Sequence, residues 1–426
     1  MRTSFLATCA LLFSAAAPAA DWPQFLGRHR NGVCDETGYS FRWPAAGPLK
    51  IWSYAVGAGW SGPIVVGDRV LIHHRVEDST CLDCLQITDG KRVWRYEEST
   101  NYQDQFRFDE GPRATPAVAD GRVFIFGADG LLRAVSLETG KRLWGHDLHT
   151  EYRVPQGFFG AACSPLVEAG RVILNVGGRG AGVVAFDAAT GKEAWKATDD
   201  AASYSSPVAA TVSGVRSVFV FTREGLVALD PTDGKVRFKE RWRSRNQASV
   251  NAATPLVVND EVFVSSSYQT GAVLWKLRGN GVTPLWKGDD ILSNHYNTSV
   301  YRDGSLYGIE GRQEYGAHLR CVEWSTGKVR WTKERFGCAT LALVQGNVLA
   351  LTEHGDLVAF AAEPTAYREV ARAKVLNGQI RAAFALSGGR FYGRDGKQLV
   401  ALDLKCGRAP PRVAAKRLAA TRGGAR

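Results

Sequence analysis

The feature that most restricts the fold of this chain is an eleven-residue pattern that recurs in one register. Each full copy contains Gly-Lys near its centre and ends on Trp or Phe. Full copies occupy residues 84–94, 134–144, 185–195, 228–238 and 321–331, and a degenerate copy runs from 274 to 286. The turn glycines, 43 to 51 residues apart, are Gly90, Gly140, Gly191, Gly234, Gly281 and Gly327. A repeat of this length predicts four-stranded β-propeller blades.

A second signal precedes each turn and consists of small residues, usually followed by Pro, and then an alternating apolar run. It starts at Ser61, Ala114, Cys163, Ser205 and Ala253, with weaker versions at Asn297, Ala339 and Ala382. A turn and a β-rich run such as residues 122–126 follow, so each unit contains a hairpin. These eight units predict an all-β fold, an eight-bladed β-propeller of four-stranded blades.

The eighth unit, residues 382–404, has strand signals for only three strands. The missing strand is predicted at residues 49–54, because Trp52 precedes Trp94 by 42 residues, as a fourth-strand Trp should. We expect this N-terminal strand to close the ring, since closure removes the sheet edges that invite aggregation. The propeller domain is then expected to span residues 21–404.

The aromatic residue that ends each repeat is predicted to lie on an outermost strand and to hold neighbouring blades together. Burying about 150 to 250 Å² of such a side chain contributes up to about 4 to 6 kcal/mol. The predicted structural docking residues are Trp52, Trp94, Trp144, Trp195, Phe238, Trp286 and Trp331.

Residues 1–20 have the pattern of a secretory signal peptide. Arg2 is followed by an apolar stretch from Phe5 to Phe13 and then by small residues up to Ala20. We expect cleavage near Ala20 and a mature protein that is periplasmic or secreted and not membrane-spanning. Cys9 precedes the end of the apolar stretch, whereas a lipid-anchored cysteine would follow it, so we do not expect anchoring there.

The net charge of +11 is concentrated at the termini. From Lys405 onward there are seven basic residues and no acid, and without these and Arg2 the body carries about +3. A nearly neutral body does not suit a surface that tracks phosphates, so no nucleic-acid partner is expected. We predict that the tail, residues 405–426, is basic and disordered.

Several segments together resemble a known family. Asp21-Trp-Pro-Gln-Phe-Leu-Gly27, Asn31-Gly-Val-Cys-Asp-Glu-Thr-Gly38 and the Thr-Gly-Lys-x-x-Trp repeats are similar to the pyrroloquinoline-quinone-like (PQQ-like) β-propeller repeats of exported bacterial proteins. The resemblance implies the architecture shared by quinoprotein dehydrogenases and by the propeller lipoprotein of the outer-membrane β-barrel assembly machinery. Since the family holds both enzymes and scaffolds, the fold does not settle the function.

By this resemblance, a quinoprotein dehydrogenase should contain adjacent cysteines and a calcium site of Glu, Asn and Asp. None of the eight cysteines is adjacent to another, and Cys81-Leu-Asp-Cys84 is followed by Leu85, not by the His of a haem-attachment motif. Asn251 could serve calcium, but the acids Glu110 and Asp290 lack the family spacing. We therefore predict no catalytic residue and no cofactor, with PQQ and calcium as the alternative.

Cys81 and Cys84, with His73 and His74 on the preceding strand, are the best metal candidates. However, Cys84 occupies the small core position of the repeat, and residues three apart on a strand point to opposite faces. We expect these residues to pack in the core and predict no metal site.

The remaining candidates lie just before or at the predicted inner strands, where propeller loops gather round the mouth of the central channel. They are Trp60, Arg113, Phe159, Tyr204, Asn251, Tyr296 and Arg381. This set suits a ligand or a protein partner, although a polar channel lining would have the same composition.

The predicted function is a non-catalytic, monomeric binding or scaffold protein of the bacterial cell envelope that contacts a protein partner through its loop faces. The alternative is a PQQ-dependent oxidoreductase that acts on an alcohol or a sugar. A carbohydrate-binding module is a third possibility that rests on exposed aromatic residues alone.

Overall fold

Alternating apolar positions fold into β-hairpins throughout the computed structural model, which describes residues 20–279 and 281–405. Within this part of the chain, eight four-stranded antiparallel blades form a ring, which confirms the predicted propeller. Blades 1 to 4 contain strands Ile64–Val66, Arg69–Val76, Ser79–Gln86, Arg92–Ser99; Ala117–Ala119, Arg122–Phe126, Leu131–Ser136, Arg142–Asp147; Leu166–Glu168, Arg171–Gly178, Ala181–Asp187, Glu193–Ala197; and Val208–Val212, Val215–Phe221, Gly225–Leu229, Val236–Arg241.

The other half of the ring is built in the same way. Blades 5 to 8 contain strands Leu256–Val258, Glu261–Ser266, Gly271–Arg278, Gly281–Gly288; Val300–Arg302, Ser305–Glu310, His318–Glu323, Val329–Lys333; Ala339–Val344, Asn347–Thr352, Asp356–Ala361, Glu369–Lys374; and Ala385–Ser387, Arg390–Arg394, Gln398–Asp403, Leu49–Ala55. Blade 7 gains a short parallel strand, Val33–Cys34. The short helices are Leu148–Glu151 and the 3₁₀ turn Gln313–Tyr315, and no helix in the described residues could span a membrane.

The N-terminal strand closes the ring as the sequence predicts. Leu49–Ala55 pairs antiparallel with Gln398–Asp403 and forms the outer strand of blade 8. The proposed leader and tail lie outside the described residues, apart from Ala20 and Lys405.

One row of paired residues crosses each blade from the axis to the rim. In blade 1 the row runs through Ile64, Leu71, Cys84 and Trp94. The equivalent outer-strand residues are Trp52, Trp144, Trp195, Phe238, Trp286, Trp331 and Ala371. The register shifts by one residue next to this position in all eight outer strands, and such bulges discourage edge-to-edge pairing.

Six tryptophans of this row bond to the neighbouring blade. Their indole Nε1–H groups donate to backbone carbonyl oxygens in the next blade's outer hairpin at 2.7 to 3.2 Å. The acceptors, in ring order from Trp52, are Ile87, Leu137, Ala188, Pro231, Trp324 and Glu363. Gly234 shows why these turns need glycine: its φ is +74°, and a Cβ there would lie 2.5 Å from the Trp195 ring.

The two blade interfaces that lack this tryptophan are filled differently. At Phe238 there is no indole N–H, and Trp242, four residues later, donates instead to the carbonyl of Gly271 at 3.2 Å. Beside Ala371, the N-terminal residues Phe41 and Trp43 join the hydrophobic core of blades 7 and 8.

One detail of the repeat assignment is wrong. Gly281 was aligned with the turn glycines, but it is the first residue of strand Gly281–Gly288, and no atom of the described residues lies within 4 Å of where its Cβ would be. The paired strands of this hairpin extend as far as Arg278 and Gly281, so Gly281 belongs to the strand pairing.

Hydroxyl groups link the blades at the axis. The hydroxyl of the residue before the inner-strand Pro, or of its equivalent, accepts a hydrogen bond from a backbone N–H of the preceding blade. The donor and acceptor residues are Gly62 and Thr115 at 3.1 Å, Thr115 and Ser164 at 3.0 Å, Ser164 and Ser206 at 2.9 Å, and Thr254 and Thr298 at 3.1 Å. The Thr-Pro and Ser-Pro signals of the sequence therefore provide the hydroxyl groups that link blades at the centre of the ring, and the tryptophans link blades at its rim.

Residues 21–34, here called the N-terminal strap, cross the end of the channel at which the inner strands finish. Trp22 pairs with Val65 of blade 1, and the carbonyl of Pro23 accepts from Val118 N–H of blade 2. Arg30 reaches the channel and donates to the carbonyls of Ser164 and Pro165 at 3.0 and 2.8 Å. The strap covers this end and leaves the mouth at the opposite end.

Candidate functional site

Five of the seven candidate residues occupy one equivalent position. Counting four residues back from the inner-strand row gives one residue per blade, which we call the mouth ring: Trp60, Arg113, Ala162, Tyr204, Ala252, Tyr296, Cys338 and Arg381. Phe159 and Asn251 lie just before this position in their blades. The mouth ring thus combines five large aromatic or cationic side chains with three small ones.

Two guanidinium groups flank one indole in the mouth ring. The Arg381 and Arg113 guanidinium carbons lie 4.5 and 5.0 Å from the Trp60 ring centroid, within the range of cation–π attraction. Because blades 8, 1 and 2 are consecutive, these residues form a continuous arc on one side of the mouth.

The two arginines of this arc differ in their partners. Arg113 is nearly buried and forms an ion pair with Asp104 at 2.9 Å, and it also donates to the carbonyls of Asp109 and Gly111. It therefore braces the loop before blade 2. Arg381 is half-buried, and no carboxylate or carbonyl of the described residues accepts a hydrogen bond from it.

Tyr296 faces the arc across the small Cys338. The Arg381 guanidinium lies 5.6 Å from its ring centroid. Burial raises the pKa of Tyr296 well above its usual value and that of Cys338 to about 12, so both groups stay protonated at neutral pH. This side of the mouth ring offers an uncharged hydroxyl and a thiol, with no thiolate.

Phe159 belongs to a group of four rings, the phenylalanine patch, made of Phe106, Phe108, Phe158 and Phe159. The centroid of Phe106 lies 5.3 to 6.0 Å from those of the other three. Phe106 and Phe108 are 48% and 62% exposed, which is unusual for side chains of this size. Sequence reasoning missed both, although Gln-Phe-Arg-Phe-Asp in a polar interstrand loop was a usable signal.

The phenylalanine patch is continuous with the mouth ring. Phe159 stands edge-on to Tyr204 at 5.7 Å, and its backbone N–H donates to the Tyr204 hydroxyl at 2.9 Å. On the other side, Arg381 lies 5.9 Å from the Phe108 ring. The mouth therefore has an exposed apolar rim next to a guanidinium group.

Asn251 is placed as a brace between loops. Its side chain is 3% exposed and donates to the carbonyls of Thr222 and Trp242 at 2.9 and 3.2 Å. Its own carbonyl accepts from the backbone N–H groups of Tyr204 and Ser205. The amide nitrogen is thus committed to holding the two loops together.

The calcium site expected of a quinoprotein would combine Asn251 with acidic side chains. In residues 20–279 and 281–405, no three His, Cys, Asp or Glu side chains are grouped as metal ligands. Of the two acids considered as companions of Asn251, Glu110 lies 3.9 Å from Arg75. The Trp60 ring, which could stack on a planar quinone, already contacts two guanidinium groups. We therefore derive no reaction step through a quinone or a metal ion.

The cysteine and histidine candidates are core residues. Cys81, Cys84 and both histidines have no exposed surface. His74 accepts from Gly57 N–H through Nδ1 and contacts Asp83 through Nε2 at 2.8 Å, so it is a neutral imidazole in a fixed tautomer. All six cysteines of the described residues are reduced and buried.

A polar cleft of about 550 Å³ lies beside Tyr296, between blades 5 and 6. The Tyr268 hydroxyl is 2.9 Å from Nε2 of His295, whose Nδ1 is 3.0 Å from Gln313 Oε1. Arg312 stacks on the Tyr268 ring at 4.4 Å and is paired with Glu314. Burial lowers the pKa of His295 to about 4, so the network is uncharged at its centre. Sequence reasoning missed this cleft, since it depends on loops from different blades.

A family model described as "Outer membrane protein assembly factor BamB" matches residues 45–153 and 83–333 of the chain. The protein of that name from Moranella endobia is 27% identical over 259 residues, which are 57% of this chain and 62% of the relative. A quinohemoprotein alcohol dehydrogenase from Pseudomonas putida is 28% identical over 220 residues, 45% of this chain and 30% of the enzyme. The chain thus spans less than two thirds of the length of either relative.

The solved structure of quinohemoprotein alcohol dehydrogenase from Comamonas testosteroni superposes with a TM-score of 0.65 at 14% identity. The superposition covers 92% of this chain and 82% of the enzyme. This likeness concerns the propeller fold.

Proposed function

Because the chain belongs to the family whose model is described as outer membrane protein assembly factor BamB, we propose that it is a non-catalytic scaffold propeller of the bacterial cell envelope. It acts in the periplasm, as its predicted signal peptide requires, and binds a protein through the face that carries the mouth. The partner is a component of outer-membrane protein assembly, as the names of its relatives suggest.

The observation that carries this proposal is the exposure of the phenylalanine patch. Phe106 and Phe108 expose about half or more of their surface, and buried aromatic residues with nearby arginines dominate the energy of protein interfaces. The patch adjoins Arg381 and Tyr204, so a docked partner would also cover polar groups that fix its orientation.

The test is site-specific photo-cross-linking in the bacterial host. A photoreactive amino acid at Phe108 should give an adduct with an outer-membrane protein assembly component. The matched control is Leu285, which is 46% exposed on the outer strand of blade 5, far from the mouth. An adduct of equal yield at Leu285, or none at Phe108, contradicts the proposal.

A second variant separates binding from folding. Phe106→Ser with Phe108→Ser should abolish the adduct formed from a photoreactive residue at Phe158 while leaving the melting temperature unchanged within about 2 °C, because both side chains are already exposed. Retained adduct in this variant would show that the patch is not the docking surface.

The alternative, a PQQ-dependent dehydrogenase, is favoured by the relatives named as alcohol dehydrogenases. It predicts that PQQ with calcium stabilises the purified protein by about 2.7 kcal/mol at a hundred times Kd. An unchanged melting temperature and no quinone-dependent dye reduction would remove this alternative.

A further inference from the structure

Arg381 is an unpaired cation held in a cage of aromatic rings. Its guanidinium lies 4.5, 5.6 and 5.9 Å from the ring centroids of Trp60, Tyr296 and Phe108. Throughout the described part of the chain, none of its N–H groups has a hydrogen-bond acceptor and no carboxylate lies within 4.0 Å.

Three other arginines near the mouth are engaged, whereas Arg107, between Phe106 and Phe108, is exposed to solvent. Arg113 is paired with Asp104, Arg312 with Glu314, and Arg223 donates to the carbonyls of Ser249 and Gln247. Of the two mouth-ring arginines, Arg381 is therefore the one that keeps its donors available. The charge of Arg113 is balanced by Asp104, so Arg381 is the mouth-ring cation without a paired carboxylate in the described residues.

A caged guanidinium favours one kind of ligand. Stacking on aromatic faces orients the planar group and leaves its N–H donors in the plane, where a carboxylate can accept two of them at once. The surrounding rings lower the local water content, which strengthens such a charge-assisted bond. A body charge of only about +3 does not suit a polyphosphate, so we consider a carboxylate.

Two further features indicate that the carboxylate belongs to a side chain of a docked protein. The exposed Phe106 and Phe108 beside Arg381 suit apolar residues that flank the carboxylate. The N-terminal strap covers the other end of the channel, with Arg30 bonded to the carbonyls of Ser164 and Pro165. A partner segment therefore enters and leaves through the mouth and inserts a side chain without threading through the ring.

We propose that Arg381 is the receptor for an Asp or Glu carboxylate on an apolar segment of the partner protein. This inference rests on the proposed function, in which a protein docks on the mouth face. It adds the chemistry that the docked segment must have: one acidic side chain next to an aromatic or large aliphatic residue.

The first test uses a minimal probe on the purified full chain. N-Acetyl-L-phenylalanine, which has a carboxylate, should bind with a Kd in the millimolar range, about 4 kcal/mol, measured by ligand-observed NMR. N-Acetyl-L-phenylalanine amide lacks the charge and should bind at least about tenfold more weakly. Equal binding of the two probes, or no binding of the acid up to about 20 mM, would overturn the inference.

Three variants locate the effect. Arg381→Gln should reduce binding of the acid to that of the amide, and Arg381→Lys should bind with intermediate affinity because it keeps the charge but not the planar fork. Arg312→Gln is the matched control, since Arg312 also stacks on a tyrosine but is paired with Glu314, and binding should be unchanged. A similar loss in the control would show a nonspecific effect of charge. Melting curves of each variant exclude misfolding.

A cellular experiment separates this inference from the proposed function. Arg381→Gln should abolish the adduct formed by the photoreactive residue at Phe108. If the adduct persists, a partner docks there but its carboxylate is not recognised by Arg381, and this inference fails alone. If the acid probe binds but no adduct forms at Phe108, the carboxylate recognised by Arg381 does not belong to a docked protein. This inference and the proposed function then both fail.

Discussion

At the scale of single residues, the most demanding position is Asp83, which sits where blade 8 meets blade 1. This buried carboxylate accepts from Arg95 at 2.7 and 2.8 Å, from His74 at 2.8 Å and from the Tyr54 hydroxyl at 2.9 Å. Burial opposes its ionisation, but the hydrogen bonds from Arg95 and His74 hold the pKa of Asp83 below its usual range. Since Tyr54 lies on the closing strand, this network ties the two ends of the ring together.

Asp83→Asn should therefore lower the free energy of unfolding by about 3 kcal/mol, because it removes the buried carboxylate that pairs with Arg95 and accepts from His74 and Tyr54. Urea denaturation measures this change. Asp68→Asn is the control, since the Asp68 carboxylate is exposed and contacts only Arg69 and, at 3.3 Å, Gln86; it should cost no more than about 0.5 kcal/mol. Equal effects would show that the seam network adds nothing to stability.

Buried histidines set the response of the fold to acid. Burial lowers the pKa of His73 to about 3, and His74 and Arg394 act in the same direction. Because the folded state resists a proton that the unfolded chain takes up near its ordinary pKa of about 6.5, stability should fall as pH drops from about 6.5 towards 3. His295, with a pKa of about 4, adds to this loss.

The prediction is a melting temperature that decreases steadily below pH 6.5. His73→Leu should flatten the slope between about pH 6 and 4.5, where few carboxylates titrate. An identical pH dependence in wild type and variant would contradict this origin.

At the scale of secondary-structure elements, stability depends on the contact between each outer-strand tryptophan and the next hairpin. Trp195 is 7% exposed, and its Nε1–H donates to the carbonyl of Pro231 at 3.1 Å. Trp195→Phe removes this bond and should cost about 1 kcal/mol, whereas Trp195→Ala also opens a cavity and should cost about 3 to 5 kcal/mol.

The partner glycine gives a complementary prediction. In Gly234→Ala the new methyl group would meet the Trp195 ring and occupy a backbone with positive φ. Gly214→Ala has the same type of backbone, φ +80°, but open space round the new methyl group. Gly214→Ala should thus cost about 1 kcal/mol and Gly234→Ala clearly more, as measured by denaturant midpoints. Equal midpoints would mean that the ring moves aside without cost.

At the scale of the whole molecule, the N-terminal strap crosses one end of the ring and leaves the mouth at the other end. The strap pairs with blade 1, is bonded to blade 2, inserts Arg30 beside blade 3 and adds a strand to blade 7. It therefore connects opposite sides of the ring across the axis. Burial lowers the pKa of Arg30 to about 9, so it keeps its charge at neutral pH.

Arg30→Met should release the strap because it removes the guanidinium donors, while the methionine side chain still fills part of the space. We expect faster hydrogen exchange at the backbone amides of Val65 and Val118, which donate to strap carbonyls, and a loss of about 2 kcal/mol. Arg28→Met, at an exposed strap position, is the control and should leave both amides protected. Unchanged exchange in Arg30→Met would show that Arg30 does not hold the strap.

The repeat period, the Gly-Lys-x-x-Trp copies and the displaced Trp52 strand were sufficient to predict eight blades and the closure of the ring. They succeed because each motif acts locally or between adjacent blades, so its spacing along the chain is fixed by the blade itself. Five of the seven candidates also share one register position in the structure, since each was chosen just before an inner strand. Sequence reasoning misplaced Gly281, since a longer hairpin shifts the turn without removing the tryptophan.

The relations among side chains at the mouth were decided by the tertiary structure. Arg113 and Arg381 look equivalent in sequence, yet one is paired with Asp104 and the other is held by three rings. Asn251 appears in sequence as a possible calcium ligand, and the structure shows that its amide nitrogen braces two loops through the carbonyls of Thr222 and Trp242. These partners come from loops that are distant in sequence, and only closure of the ring brings them within bonding distance.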